Sequence, residues 1–161
     1  MSKRLGLALL TAVIAVAAFA GMTLATPGVG VTSTTIAAGD LAPVELNTKT
    51  GDWKLALRTK GNSDVSVVEN RVTPGGTFGW HNHLGPSIVV VKSGALTFYR
   101  AEDPTCTGEV YSAGQALLDP GNSIHVGRNE GAVDVVVITI RIIPDGAVTR
   151  IDQPAPGNCA F

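Results

Sequence analysis

Gly75-Gly76-Thr77-Phe78-Gly79-Trp80-His81-Asn82-His83-Leu84-Gly85-Pro86-Ser87 carries two of the chain's three histidines, one residue apart. On an extended backbone, positions i and i+2 project to the same face. His81 and His83 therefore point together, while Trp80 and Asn82 face the other way. One strand then offers two imidazole nitrogens to a single ion. The third histidine, His125, opens a later β-like run, Ile124–Arg128. In an antiparallel barrel a neighbouring strand would bring it opposite the pair. Three neutral imidazoles suit one divalent transition metal (Fe, Zn, Mn, Ni or Cu) rather than Mg or Ca. They also leave coordination positions open, as catalytic sites do and closed structural zinc sites do not. Protonated imidazole cannot ligate, so affinity is expected to fall as the pH drops through the ordinary histidine range near 6.5.

Outward from this stretch, short β-rich runs alternate with turn chemistry. The expected strands are Val44–Asn47, Trp53–Thr59, Val65–Thr73, Ile88–Lys92, Ala95–Arg100, Glu109–Tyr111, Ala116–Leu118, Ile124–Arg128 and Val133–Ile143. Thr50-Gly51-Asp52, Gly61-Asn62, Pro74-Gly75-Gly76, Gly85-Pro86, Ser93-Gly94 and Pro120-Gly121-Asn122 separate them. Strand-plus-turn units of about eight to twelve residues indicate a sandwich or barrel. No helical period of useful length occurs, and the β-branched run Val133–Ile143 favours strand. The fold class is all-β.

Two spaced motifs carry a resemblance to a known family. Gly75 is followed by five residues and His81-Asn82-His83, then three residues to Ser87 and six to Gly94. Gly114 is followed by five residues and Pro120-Gly121-Asn122, then two to His125 and three to Asn129. The chain resembles a small secreted single-domain cupin of bacterial type over residues 41–144. The resemblance implies a double-stranded β-helix, or jelly-roll barrel, with a metal held by His81, His83 and His125. Two positions depart from the family pattern. Asn122 stands where it has glycine, and asparagine also tolerates a left-handed backbone. Ser87 stands where it has the metal-binding glutamate. That change leans toward cupins with a three-histidine iron site, as in thiol dioxygenases, and equally allows a site whose catalytic function has decayed. Glu102, Glu109 and Asp119 could replace the missing carboxylate only if the fold turns them inward.

The pocket candidates are Ser87, Phe78, Trp80 and Asn129, with Phe98 and Tyr99 beside them. The aromatic residues read equally as core or surface strand residues, and Asn129 as a turn or strand-end hydrogen-bonding residue. Gly75, Gly94, Gly114 and Pro120 are backbone devices for turns. Ser87 lacks the base and orienting group that a nucleophile needs. Two cysteines in an exported chain usually pair, which would join Cys106 to Cys159 and tie the tail, residues 146–161, to the barrel. Thiols joining the metal site are the alternative.

Lys3 and Arg4 precede an uncharged apolar run, Leu5 to Ala20, that ends in Ala18-Phe19-Ala20. This is the pattern of a signal peptide over residues 1–20, with a second cleavage possibility extending it to about residue 26. An uncleaved N-terminal helix anchoring the protein to the membrane is the competing reading. Residues 21–40 read as a flexible linker and residues 41–145 as the folded domain. The chain has 161 residues, suited to one domain, and carries 12 Lys+Arg against 13 Asp+Glu. Without Lys3 and Arg4 the balance is 10 against 13, a net charge of −3. Such a domain lacks the basic face that nucleic acid requires. The expected location is secreted or periplasmic. The expected partner is a small-molecule ligand or substrate, with neither nucleic acid nor, after signal cleavage, membrane, and with a homodimer left open. Two functions follow from the resemblance: metal-dependent oxygenase or dioxygenase chemistry on a small organic molecule, or non-catalytic binding of a metal or small ligand at a degenerate site.

Overall fold

The computed structural model describes residues 24–161, so the expected signal peptide lies outside the described residues. Twelve strands follow one another: β1 (Val29–Leu41), β2 (Glu45–Thr50), β3 (Trp53–Arg58), β4 (Ser63–Thr77), β5 (His81–Asn82), β6 (Ser87–Ser93), β7 (Ala95–Arg100), β8 (Glu109–Ser112), β9 (Ala116–Asp119), β10 (His125–Arg128), β11 (Val135–Pro144) and β12 (Ile151–Asp152). No helix forms among the described residues. The nine expected strands are all present, and three more join them.

Every pairing is antiparallel. One wing runs β1-β4-β11-β6-β9 and the other β12-β5-β10-β7-β8. They meet where Arg128 of β10 pairs with Thr77 of β4. Two antiparallel wings joined this way form a jelly-roll barrel. The core draws on both: Val72, Val91, Leu117, Val135 and Val137 from the first wing pack with Leu96 and Phe98 from the second. The inward residues alternate along β11, where Val135, Val137 and Thr139 are all buried. The β2–β3 hairpin forms a separate two-stranded sheet with Leu46, Trp53 and Leu55 exposed.

Residues 21–40 are not a linker throughout. From Val29 onward they form β1, which pairs with β4 from Val29↔Thr77 to Leu41↔Ser63. Backbone hydrogen bonding to a long central strand overrides the lack of apolar alternation. The C-terminal tail is likewise more than a disulfide-tied segment. Ile151 and Asp152 of β12 pair with Asn82 and His81 of β5, and Ala25 bridges Pro154. The two-residue β5 is thus held between β10 and β12.

Candidate metal centre

His125 opens β10 directly opposite His81 of β5. Cross-strand partners share a face, so this register alone sets both imidazoles on the interior of the barrel. β5 ends at Asn82, and His83 lies just beyond it rather than on an extended strand. It converges nonetheless, because its N–H donates to Gly121 O at 2.8 Å and fixes the chain there. Gly121 has φ 92°, and a Cβ on it would stand 2.0 Å from Gly85 O and 2.9 Å from His83 Nδ1. Only glycine permits this approach of the Pro120-Gly121 turn to the His83–Gly85 turn. The backbone at Asn122 is not left-handed; the positive φ falls on Gly121.

One ligand atom from each of His81, His83 and His125 lies within 4.8 Å of the others, and all three residues are buried. Every Nδ1 faces a backbone carbonyl: Gly79 O for His81 (2.9 Å), Gly85 O for His83 (2.7 Å) and Ser123 O for His125 (2.9 Å). A carbonyl only accepts, so each Nδ1 carries hydrogen and each Nε2 is left to face inward. This is the outer-shell arrangement that orients imidazole ligands toward a metal. The donor set fits a divalent transition metal.

A fourth polar group shares the centre. Asp119, at the end of β9, is buried at 2% exposure and pairs in register with Ser87 of β6. Its Oδ2 lies 2.6 Å from Nε2 of His83 and 3.1 Å from Nε2 of His125, while its Oδ1 accepts the Gly121 N–H at 2.9 Å. Of the three candidate carboxylates Glu102, Glu109 and Asp119, only Asp119 is buried against the histidines. Glu109 bonds Arg100 and Tyr111 at the surface, and Glu102 is exposed. Burial works against the Asp119 charge, but its contacts with His83 and His125 and the Gly121 N–H outweigh it and hold its pKa below the usual value.

Burial lowers His81 to about 3, with His125 and Arg150 adding repulsion against the Gly79 carbonyl. His125 is also lowered, by burial first, against the pull of Asp119 and Ser123. His81 is therefore neutral well below the ordinary range near 6.5, and His125 is shifted in the same direction.

The centre sits in the wall of a cavity of about 440 Å³ between the wings. Phe78, Val89, Leu96, Phe98 and Val137 line its apolar side, and Ser33, Thr35, Asn70 and Thr139 its polar end. Arg141 and Arg150 also face it. Arg141 donates from Nε to Ser87 Oγ at 3.4 Å. Ser87 lies between Arg141 and Asp119 in one cross-strand row over β11, β6 and β9.

Ser87 and Phe78 thus line the cavity, and so does Phe98, which stacks on His125 at 5.1 Å. Trp80 and Asn129 do not. Trp80 turns to the opposite face, as its place next to His81 requires, and stacks on Phe161 at 6.3 Å. Tyr99 meets the same Phe161 outside the barrel. Asn129, 0% exposed, donates to Val72 O and Val133 O and accepts from the Gly131 N–H, so it is consumed by backbone. Cys106 and Cys159 form a disulfide, so there is no free thiol for the metal.

Neither a protein-family model nor a curated protein matches the sequence. Solved structures similar to it include a cupin-like protein from Thermotoga maritima, 19% identical, with 60% of this chain and 79% of that one covered at a TM-score of 0.49. A conserved protein with a double-stranded β-helix domain from Klebsiella pneumoniae is 18% identical, with 70% and 84% covered at 0.48. A cupin domain from Bordetella pertussis is 22% identical, with 63% and 93% covered at 0.43. Likeness at this level assigns no activity. The double-stranded β-helix stands on this chain's own strand order, with His81, His83 and His125 folded onto one centre.

Proposed function

We propose that this protein is exported and binds one divalent transition metal through His81, His83 and His125, presenting it to a small organic molecule in the barrel cavity. The convergence of three buried imidazoles, each oriented by a carbonyl at Nδ1, carries this reading. A bound metal would supply Lewis acidity or oxygen chemistry at its open positions. The chain's own residues do the rest. Phe78, Phe98 and Leu96 exclude water from one side of the ligand. Arg141, in the cavity wall beside Ser87, favours a ligand bearing a negative group, while Arg150 in the same wall is paired with Asp152 and donates to Phe78 O. The backbone carbonyls of Gly79, Gly85 and Ser123 hold the imidazoles in one tautomer. Oxygenase-like turnover of a small organic acid or phenolate is the enzymatic form of this function. The disulfide supports export, because such bonds persist in oxidising compartments.

The test is elemental analysis of natively exported protein, followed by oxygen uptake with a panel of small thiols, diketones, phenols and carboxylic acids. About one equivalent of metal with oxygen consumption supports the enzyme. Metal without turnover supports the binding domain instead, a reading favoured by Ser87 in place of a ligating glutamate. Absence of metal overturns both.

A further inference from the structure

Asp119 Oδ2 stands 2.6 Å from one imidazole Nε2 and 3.1 Å from another. Both rings present lone pairs there in their neutral form, because their Nδ1 atoms already donate to Gly85 O and Ser123 O. A carboxylate oxygen against two lone pairs is repulsive at these distances unless positive charge lies among the three atoms. One proton on one ring relieves one contact and leaves the other. A metal ion relieves both. Nitrogen and oxygen ligands sit at roughly 2.0–2.2 Å from such an ion, so neighbouring ligand atoms stand about 3 Å apart, the order of the two separations seen.

The rest of Asp119 is prepared for this role. Gly121 N–H occupies Oδ1, which leaves Oδ2 as the atom aimed at the histidines. The side chain is 2% exposed, and its backbone is fixed in the β6–β9 register opposite Ser87. A serine at that neighbouring position avoids a second negative charge beside Asp119 and leaves Arg141 facing the cavity.

We propose that Asp119 is an anionic ligand of the metal centre, supplied from β9 on the side of His83 and His125. The inference rests on the metal-binding reading above. It restores a hard oxygen donor to the site and moves its preference toward Fe²⁺, Mn²⁺ and Zn²⁺ and away from Cu⁺.

Metal-depleted full-length protein titrated with Co²⁺ tests it, with the visible ligand-field bands and competition against a chromophoric chelator as readouts. Asp119→Ala and Asp119→Asn should each weaken Co²⁺ binding by about 100-fold and alter the band pattern. Glu109→Gln, at the surface, should change neither. Asn at 119 keeps the shape and the acceptor for Gly121 N–H, so it decides the question if the alanine variant fails to fold by far-UV circular dichroism. Wild-type affinity in Asp119→Asn, or weaker binding with unchanged bands, overturns the ligand role while leaving the histidine site standing. Failure of the wild type to bind Co²⁺ overturns the metal reading itself.

Discussion

His83 and Asp119 meet through Nε2 and Oδ2 at 2.6 Å, with each side chain 2% exposed. His83 lies in the turn after β5 and Asp119 at the end of β9, and the His83 N–H bond to Gly121 O locks the two segments together. A buried imidazole and a buried carboxylate are costly to leave without a charge partner. Their contact makes the end of the barrel a chemical centre rather than a packed cap.

Removing a histidine tests that centre most directly. His81→Ala and His125→Ala should each lower metal content in purified protein from about one equivalent to about a tenth or less, because two imidazoles cannot hold the ion at the same affinity. Inductively coupled plasma mass spectrometry on folded variants checks it. Unchanged content would exclude the triad.

Acid should destabilise the metal-free protein over a defined window. His81 is held to about 3 in the fold by burial first, and then by His125 and Arg150; unfolded, it titrates near 6.5. Between these values the unfolded chain binds the extra proton. The stability contributed by neutral His81 is therefore fully present above pH 6.5 and lost as the pH falls toward 3. The slope is about 1.4 kcal/mol per pH unit for each such histidine, and His125 acts in the same direction. Urea denaturation at a series of pH values measures it; a flat profile from pH 6.5 to 4 would contradict the burial.

Reducing the Cys106–Cys159 bond should loosen the tail while leaving the centre intact. The cysteines are 53 residues apart, for which chain entropy gives about 4 kcal/mol as an upper figure, lessened here because β12 and Phe161 still dock. Dithiothreitol should lower Tm by about 5–10 °C with metal content unchanged. Loss of metal on reduction would tie the disulfide to the site.

Gly121→Ala should be among the most damaging single changes. The new Cβ would stand 2.0 Å from Gly85 O at φ 92°, so the turn bearing His83 must shift. A loss of about 2–4 kcal/mol is expected, together with weaker metal binding. Normal stability in chemical denaturation would show that the turn is not so tightly held.

Asn129→Ala separates structure from chemistry. It deletes two donors to Val72 O and Val133 O and the acceptor of Gly131 N–H. About 2–4 kcal/mol of stability should go, and metal affinity should stay. A selective loss of metal would return Asn129 to the site.

Much of the barrel is legible in the primary structure because most strands have a buried face that writes period-two patterning and turn residues into the chain. β1 is not, for a physical reason. Its inward residues Ser33 and Thr35 face the polar end of a cavity, and Ser33 bonds Asn70 there. No apolar alternation is needed, so the strand reads as a linker. β5 and β12 are too short for any period to register. Trp80 is assigned correctly by alternation along the chain and wrongly by its aromatic character. Alternation wins because backbone geometry, not residue type, decides which way a side chain points.

By itself the sequence determined the all-β class, the pairing of two cysteines and the same-face pair His81 and His83, and the resemblance in its spaced motifs added His125. The first three follow from local period, composition and spacing, which are properties of the chain near each residue. Only the tertiary structure decided the fourth group. Asp119 meets His83 and His125 because β9 lies beside β6 in one register, and the turn after β9 closes on the turn after β5. Register is a relation between distant segments fixed by packing, so nothing adjacent to Asp119 in the chain singles it out from Glu102 and Glu109. The same register sets Ser87 between Arg141 and Asp119. Position 87 carries no carboxylate, and the folded barrel places one, Asp119, beside it on the neighbouring strand.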